Sequence, residues 1–339
     1  MTYAVVGDIG GTKTRVAVCN TESNQPIIKE TYESRYVKHF YECINFILKE
    51  THEKYGIGVD KGCFCIAGPI DQKRTRAKAT NLPWGISKKE ILDNTYLDEV
   101  LIVNDLEAAG YGINVEKDKL TEIHHEHAPR PSYAKTAAVI AAGTGLGMSI
   151  LIFDKMKGIY HPYCSEGGHA DLVPRDEMEL RLIRYLKKHV SAGHYPGWER
   201  VVSGQGLANI YGFLRDEKYE KENEITRLID KAEDKPPLIT KHASHSSTCA
   251  KAIDMFIDFY ARAARELALI SMATDGIYLT GGMPCNMAEH FLKPHFIHTF
   301  ERNDRMGKIL RNIPVHIMTD EDINLKGCCL ALKNESHLR

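Results

Sequence analysis

The sequence lacks an excess of charge of either sign, since 44 Lys and Arg residues are offset by 45 Asp and Glu residues and the formal net charge is −1. Without a global field, the chain has no long-range attraction for nucleic acid or for an anionic membrane, and we expect neither as a partner. A basic start followed by an apolar core is also missing, and the polar C-terminus carries no peroxisomal address of the S-K-L type. We therefore expect a cytoplasmic protein.

Long hydrophobic runs are scarce as well. One uncharged stretch, residues 136–153, reaches the lower length limit of ~18 residues for a membrane span. Glycines at 143, 145 and 147, with Thr144 between the first two, favour two strands around a turn over a membrane helix.

The nine cysteines do not have the pattern of a disulfide framework. They are scattered and odd in number, in a chain without an export signal, so we expect reduced thiols. Cys63 and Cys65 alternate along an apparent strand, and we expect at least one of them to pack as a small hydrophobe. The histidines at 124, 125 and 127 lie in a polar stretch without paired cysteines, so a specific metal site is not expected there.

A glycine-rich turn, Gly7-Asp8-Ile9-Gly10-Gly11-Thr12-Lys13, is the main feature that the sequence does contain. Apolar residues before it and alternating ones after it predict a strand, a turn and a second strand. Backbone N–H groups of paired glycines beside a Thr hydroxyl suit a phosphate, and Asp8 could hold a metal that accompanies the phosphate. The P-loop is the rival motif, but a P-loop opens a helix, whereas residues 15–19 continue as a strand. An ordinary tight hairpin remains the plain structural alternative.

The length corresponds to about two domains of ~150 residues each. A second turn, Gly143-Thr144-Gly145, opens the second half and suggests a duplicated α/β architecture. We expect a small domain from 1–115 together with 322–339, and a large domain from 116–321. Predicted strands are 3–7, 14–20, 27–32, 62–67, 100–103 and 277–280, and predicted helices are 37–54, 106–113, 175–190, 249–272 and 320–333, with one more beginning at Ser87.

Asn104-Asp105 ends one of these strands and begins a helix. Because a helix N-terminus favours negative charge, we expect Asp105 to stay ionised. An ionised carboxylate at a strand end can accept the proton of a hydroxyl that attacks phosphorus, in a reaction that depends mainly on positioning. The alternative is that either residue merely caps the helix.

A second polar cluster, Glu166-Gly167-Gly168-His169, combines a carboxylate and an imidazole with glycines that would let the backbone approach a ligand. Such a pair suits several sugar hydroxyls. A metal pair is the rival interpretation, with Asp171 as the only obvious further ligand. Glu199 could accept another hydroxyl or be an ordinary surface glutamate. Asn81 precedes Trp84 in a segment that reads equally as a substrate loop or as a turn with a core tryptophan.

The glycine pairs in the second half have their own interpretation. Gly143-Thr144-Gly145 could supply a second set of donors to phosphates. Gly281-Gly282 follows a predicted strand and could let adenine or ribose approach the backbone, although a plain strand-to-helix turn explains it equally well.

Taken together and in this order, these segments resemble the bacterial-type glucokinases of the hexokinase/actin-like ATPase superfamily. The resemblance covers nearly the whole chain, and its segments are Gly7-Asp8-Ile9-Gly10-Gly11-Thr12, Asn104-Asp105, Gly143-Thr144-Gly145, Glu166-Gly167-Gly168-His169, Glu199-Arg200-Val201-Val202-Ser203-Gly204 and Gly281-Gly282. It implies two ribonuclease-H-like (actin-like ATPase) α/β domains with a substrate cleft between them. It also implies phosphorylation of glucose at its 6-hydroxyl by ATP.

The resemblance assigns a role to each candidate residue. Asp105 is the implied general base, and Asp8 is implied to orient Mg²⁺ through water. The implied holders of the sugar hydroxyls are Asn81, Asn104, Glu166, His169 and Glu199. The implied contacts to the nucleotide are Gly7, Asp8, Ile9, Gly10, Gly11, Thr12, Lys13, Gly143, Thr144, Gly145, Gly281 and Gly282. A homodimer is a further expectation from the resemblance.

Some features differ from those of other members of the superfamily, and some alternatives for the function and the phosphoryl donor stay open. Residues 171–190 contain no cysteine, so zinc-containing sugar kinases and repressors fit poorly, and no helix-turn-helix is seen before Tyr3. A non-catalytic sugar or nucleotide sensor and a kinase for another hexose are the alternatives, and ADP or polyphosphate are alternative donors. The polar tracts 118–132 and 216–247 are read as surface insertions or an oligomer contact.

Overall fold

The computed structural model describes residues 2–79, 82–115, 120–124 and 135–334. Packing divides the chain into two compact units. The first comprises Met1–Lys119, Leu151–Cys164 and Asp320–Arg339, and the second comprises Leu120–Ile150 and Ser165–Thr319. Packing therefore groups 151–164 with the first unit, whereas the sequence-based division has it in the large domain.

Short runs of strands and of helices follow one another along the chain. The strands are β1 (Tyr3–Ile9), β2 (Lys13–Asn20), β3 (Gln25–Glu33), β4 (Lys61–Ile66), β5 (Arg76–Lys78), β6 (Gly85–Ser87), β7 (Glu99–Asn104), β8 (Leu120–His124), β9 (Thr136–Ala142), β10 (Leu146–Asp154), β11 (Ile159–Ser165), β12 (Ile277–Thr280) and β13 (Val315–Met318). The helices are α1 (Phe40–Tyr55), α2 (Lys88–Asn94), α3 (Asp105–Gly112), α4 (Glu177–His189), α5 (Gly204–Asp216), α6 (Glu224–Lys231), α7 (Pro236–Lys241), α8 (Ser247–Ser271), α9 (Gly282–Asn286), α10 (Ala288–Phe291), α11 (Pro294–Glu301), α12 (Gly307–Leu310) and α13 (Ile323–Asn334). The predicted strands and helices are confirmed, with ends that differ by a few residues.

The first unit is built on a five-stranded sheet in the order β3-β2-β1-β4-β7. The first three strands are antiparallel neighbours, and β4 and β7 run parallel to β1. Strand β1 is buried on both faces, which explains its nearly continuous apolar sequence. On one face Val5 and Ile9 pack with Phe40 of α1, and on the other face Val6 belongs to a core shared with α3 and α13.

Five of the nine cysteines pack in the core on the α3 and α13 side of this sheet. They are Cys19, Cys63, Cys65, Cys328 and Cys329, all fully buried and none in a disulfide bond. The expectation of reduced thiols that pack as small hydrophobes is confirmed. Helices α3 and α13 approach so closely here that a Cβ at Gly327 would overlap the carbonyl oxygen of Ala108. Glycine is therefore required at this helix contact.

A second sheet has six strands in the order β11-β10-β9-β12-β13-β8, and β9, β12, β13 and β8 lie wholly in the second unit. Strand β12 runs parallel to both β9 and β13, and β8 is antiparallel to β13. The first five strands repeat the order of the first unit, strand for strand. The duplicated α/β architecture and the ribonuclease-H-like fold class are thereby confirmed. The long helix α8 packs on this sheet, and the buried Tyr260 hydroxyl donates to the Ile140 carbonyl at 3.1 Å.

The three uncharged or polar stretches singled out in the sequence have different outcomes. Residues 136–153 form β9, a turn and most of β10, and no helix in the described ranges has the length and apolarity needed to span a bilayer. The polar tract 216–247 contains α6 and α7, whose Ile229 and Ile239 are fully buried, so it is a packed part of the second unit. The tract 118–132 lies largely outside the described residues.

Candidate functional site

The first glycine turn joins β1 to β2 and is closed by a bond from the Gly10 amide to the Lys13 carbonyl, 3.0 Å long. Its residues 11–13 are exposed, whereas the strands on either side are buried. Ser34 holds the turn through two hydrogen bonds. Its hydroxyl donates to the Gly10 carbonyl at 2.7 Å, and its amide donates to the Thr12 carbonyl at 2.9 Å. The sequence analysis missed Ser34 because a lone serine after a strand carries no functional signal.

Asp8 lies near the end of β1, directly before the turn, and is buried. Its Oδ2 accepts from Nη2 of Arg15 at 2.9 Å, and Arg15 is its register partner on β2. Its Oδ1 accepts from Nδ2 of Asn324 at 3.2 Å and from Sγ of Cys65 at 3.4 Å. Both carboxylate oxygens therefore have protein donors, and one of these donors is the guanidinium of Arg15.

Asn104 and Asp105 stand where β7 ends and α3 begins, as predicted. Oδ1 of Asn104 caps the helix by accepting from the Leu106 amide at 2.9 Å, and Nδ2 of Asn104 donates to the Gly68 carbonyl at 3.4 Å. The backbone amide of Asn104 is itself held by Glu107 Oε2 at 3.4 Å, in a capping box. The capping interpretation of Asn104 is thus correct, and Asp105 is the first residue of the capped helix.

Burial raises the pKa of Asp105 from 3.8 to about 7, and the negative charge of Asp8 adds to the increase. The bond from the Leu106 amide to Asp105 Oδ1, 3.0 Å long, acts in the opposite direction but does not offset burial. The expectation that Asp105 stays ionised is therefore wrong. Desolvation outweighs the favourable helix N-terminus, and near pH 7 the side chain is divided between its acid and its base form.

Glu166 and His169 lie together in the second unit, at the two ends of a short 3₁₀ turn. Both side chains are exposed, and Oε2 of Glu166 lies 3.7 Å from Nε2 of His169. Gly168 between them is buried against β10, where a Cβ would overlap the carbonyl oxygen of Leu146. Close packing against a strand therefore explains the glycine at 168. The two candidate side chains therefore project from a turn that is packed against β10.

Glu199 connects this region to the second glycine turn. Its Oε2 accepts from the amide of Leu146 at 3.0 Å and lies against Gly145, where a Cβ would come within 2.6 Å of it. The turn is held further by a bond from the Gly204 amide to the Gly143 carbonyl, 2.8 Å long. Glu199 is partly exposed, so one carboxylate oxygen supports the turn while the side chain still reaches the surface.

A cavity of about 1260 Å³ in the second unit is lined by Gly143, Thr144 and Gly282. Its size is ample for a small organic ligand such as a nucleotide. Further lining residues, which the sequence analysis did not single out, include Arg200, Gln205, Asn209, Lys235, Pro236 and Met283. Gly281 has a φ of 90°, and a Cβ there would overlap the backbone of Ala142, so this glycine is required by the strand-to-helix turn.

The candidate residues thus fall into two groups, one in each unit. The first unit holds Asn104, Asp105 and residues 7–13, and the second unit holds Glu166, His169, Glu199, 143–145 and 281–282. Asn81 lies outside the described residues. Within the described ranges no group of three or more His, Cys, Asp or Glu side chains is arranged to hold a metal ion, so the rival metal interpretation of Glu166, His169 and Asp171 gains no support.

Comparison with known proteins places these residues in a family. The family model described as Glucokinase matches residues 5–335. A glucokinase of Nostoc sp. PCC 7120 is 35% identical, with 97% of this chain and 98% of the relative covered. The crystal structure of glucokinase from Balamuthia mandrillaris in complex with glucose superposes with a TM-score of 0.80 at 21% identity, over 98% of this chain and 94% of that one. A glucokinase of the ROK family from Streptomyces griseus, in complex with glucose and AMPPNP, has a TM-score of 0.63 at 19% identity, with 97% of both chains covered. The chain belongs to the glucokinase family.

Proposed function

We propose that the chain transfers the γ-phosphoryl group of ATP to the 6-hydroxyl of glucose, with Asp105 as the general base. The observation that carries this proposal is the placement of Asp105 at the carboxyl end of β7, with its pKa raised to about 7. A base is most effective when its pKa lies near the working pH, because enough of it is ionised and it still accepts a proton readily.

The reaction needs one proton transfer and one displacement at phosphorus. Asp105 accepts the proton of the 6-hydroxyl as the sugar oxygen forms its bond to the γ-phosphorus. The bond from that phosphorus to the bridging oxygen of ADP breaks, and ADP leaves with its charge. Positioning of the hydroxyl and stabilisation of the phosphoryl oxygens account for most of the acceleration in such transfers.

Different residues bind the two substrates. The exposed turn 11–13 and the cavity lined by Thr144 offer backbone and hydroxyl donors to the nucleotide phosphates. Glu166, His169 and Glu199 supply acceptors and a donor for sugar hydroxyls, and Asn104 adds an amide beside the base. Asn81 completes the proposed sugar contacts by resemblance alone.

The surroundings of Asp8 fit Mg²⁺ held through water. Both of its oxygens already accept from Arg15, Asn324 and Cys65, so direct coordination would displace protein donors. Mg²⁺ commonly keeps several of its waters, and such waters can donate to a buried carboxylate. When bound with ATP, the ion would neutralise charge on the phosphate oxygens.

The proposal is tested by glucose-dependent ADP formation in a coupled assay with Mg²⁺ and ATP. The same assay across glucose, mannose, fructose and N-acetylglucosamine tests the acceptor, and ADP or polyphosphate in place of ATP tests the donor. Asp105→Ala should lower turnover by about 10²- to 10⁴-fold while glucose still binds. Protein that binds glucose and ATP but forms no glucose 6-phosphate would replace the proposal with the sensor function.

Two further properties are proposed, the location and partners from the composition of the sequence and the homodimer from the resemblance. We place the enzyme in the cytoplasm, without nucleic-acid or membrane partners, and we expect a homodimer. Sedimentation equilibrium at several protein concentrations tests the association of two copies.

A further inference from the structure

Ser34 is the centre of a buried hydrogen-bond network beneath the first glycine turn. The residue is fully buried, and Thr14 beside it is fully buried as well. The Ser34 hydroxyl lies 2.7 Å from the Gly10 carbonyl oxygen and 2.9 Å from Oγ1 of Thr14. Because Ser34 has one hydroxyl proton and gives it to the carbonyl, the Thr14 hydroxyl must donate to Ser34. Both hydroxyl dipoles therefore point toward the turn, which strengthens the bond to Gly10.

This network sets the direction of the turn's amide groups. In a trans peptide the C=O and N–H bonds point to opposite sides. The peptide that joins Gly10 to Gly11 has its carbonyl fixed on the Ser34 hydroxyl, so the Gly11 N–H is directed away from the protein interior. Gly11 is exposed, and its amide is therefore presented where a phosphate oxygen can accept from it.

The carbonyl of Ser34 extends the network to a second segment of the first unit. It accepts from the indole Nε1 of Trp84 at 3.1 Å. Trp84 is partly buried and packs against the core that contains Phe40 and Leu82. In the sequence it follows Asn81, the residue proposed to contact glucose, by three positions. Ser34 thus bonds to the first glycine turn through its hydroxyl and its amide. Through its carbonyl it accepts a hydrogen bond from Trp84.

We propose that Ser34 is a positioning residue that holds the first turn in its phosphate-binding shape and links it, through Trp84, to the segment that follows Asn81, the proposed sugar contact. The proposal rests on the proposed glucokinase function and deepens it. Loss of the hydroxyl frees the Gly10 carbonyl, so the peptide can rotate and the Gly11 amide is no longer directed at the phosphate. Loss of the indole donor leaves the turn intact but removes the link between the two segments.

The test compares Ser34→Ala and Trp84→Phe with a matched control, Thr51→Ala. Thr51 is also a fully buried hydroxyl of the first unit that donates to a backbone carbonyl, that of Ile47 at 2.7 Å, but it lies in α1 away from the turn. Calorimetry measures binding of AMPPNP with Mg²⁺ and of glucose, each alone and in the presence of the other. If the loss of a buried hydroxyl acted only by destabilising the first unit, Thr51→Ala and Ser34→Ala would change the ligand affinities by the same factor.

We expect Ser34→Ala to weaken AMPPNP binding about tenfold, while glucose binding alone stays within twofold of wild type. We expect Trp84→Phe to bind each ligand alone with near-normal affinity but to lose most of the mutual enhancement, which for coupled sites is typically about 5- to 150-fold. Unchanged AMPPNP affinity in Ser34→Ala, or enhancement in Trp84→Phe equal to wild type, would overturn the inference. Wild-type protein that binds both ligands but forms no glucose 6-phosphate would refute the proposed function and leave the Ser34 test intact.

Discussion

Replacement of Asp105 by Asn should remove catalysis and, at the same time, stabilise the fold at high pH. Burial raises the pKa of this carboxyl from 3.8 to about 7 in the folded protein. A raised folded-state pKa gives a contribution to stability that is fully present below the unfolded-state value and is lost as the pH rises through the folded-state value. The wild type therefore loses stability relative to Asp105→Asn between pH 5 and pH 8. With ~1.4 kcal/mol per pKa unit, the relative loss over that range is about 3 kcal/mol.

The measurement is urea denaturation of both proteins at pH 5 and pH 8. We expect the free energy of unfolding of Asp105→Asn to exceed that of wild type by about 3 kcal/mol more at pH 8 than at pH 5. Turnover should fall by about 10²- to 10⁴-fold, and the wild-type rate should rise with pH up to about pH 7 as the base ionises.

Asp71→Asn is a control in the same unit, and its expected effect on stability at high pH is opposite to that of Asp105→Asn. The Arg76 amide and the Thr75 hydroxyl donate to Asp71 and lower the pKa of its carboxyl. A lowered folded-state pKa contributes stability above the unfolded-state value, so this substitution should destabilise the protein at pH 8 and less so below pH 4.

If Asp105→Asn had the same stability difference at pH 5 and pH 8, or kept near-normal turnover, the assignment of a buried, poised base would be refuted.

Substitutions at three further positions test the structure at other points. Gly327→Ala places a methyl group into the backbone of the neighbouring helix, and thermal denaturation should show a loss of about 1–3 kcal/mol or more. Arg262→Met leaves Glu179 buried without the guanidinium that lies 2.8 Å from both of its oxygens. Denaturant unfolding should show a loss of about 3–5 kcal/mol, and an unchanged stability would contradict a strong buried pair. Glu199→Gln keeps an oxygen for the second glycine turn but loses the charge, so calorimetry should show about tenfold weaker glucose binding with AMPPNP binding retained. Glu199→Ala, which removes the oxygen as well, should weaken both.

Much of the fold could be predicted from the sequence because its signals are local. A run of apolar residues predicts β1, alternation of apolar residues predicts β2, glycines predict the turns at 10–11 and 143–145, and a further helix is predicted to begin at Ser87. The structure bears these out, including the bond from the Glu90 amide to Ser87. The repetition of the hairpin predicts a duplicated architecture, and the order of strands indeed repeats in the two sheets.

The site was harder to predict because its electrostatics depend on contacts that are distant in sequence. Asp8 is held by Asn324, more than three hundred positions away, and no local pattern connects the two. The ionisation of Asp105 was predicted from its own helix, whereas the surrounding protein decides it. Ser34 acts through its backbone groups and one hydroxyl, and these features look the same in any serine.

The distribution of the cysteines has a practical consequence for spectroscopy. Seven of the nine thiols are buried, and the two exposed ones are Cys164 in the first unit and Cys285 in the second. A bulky maleimide dye should therefore label one position in each unit of the unmodified chain. Energy transfer between two such dyes would report any change in their separation when sugar or nucleotide is added, without the need for engineered labelling sites.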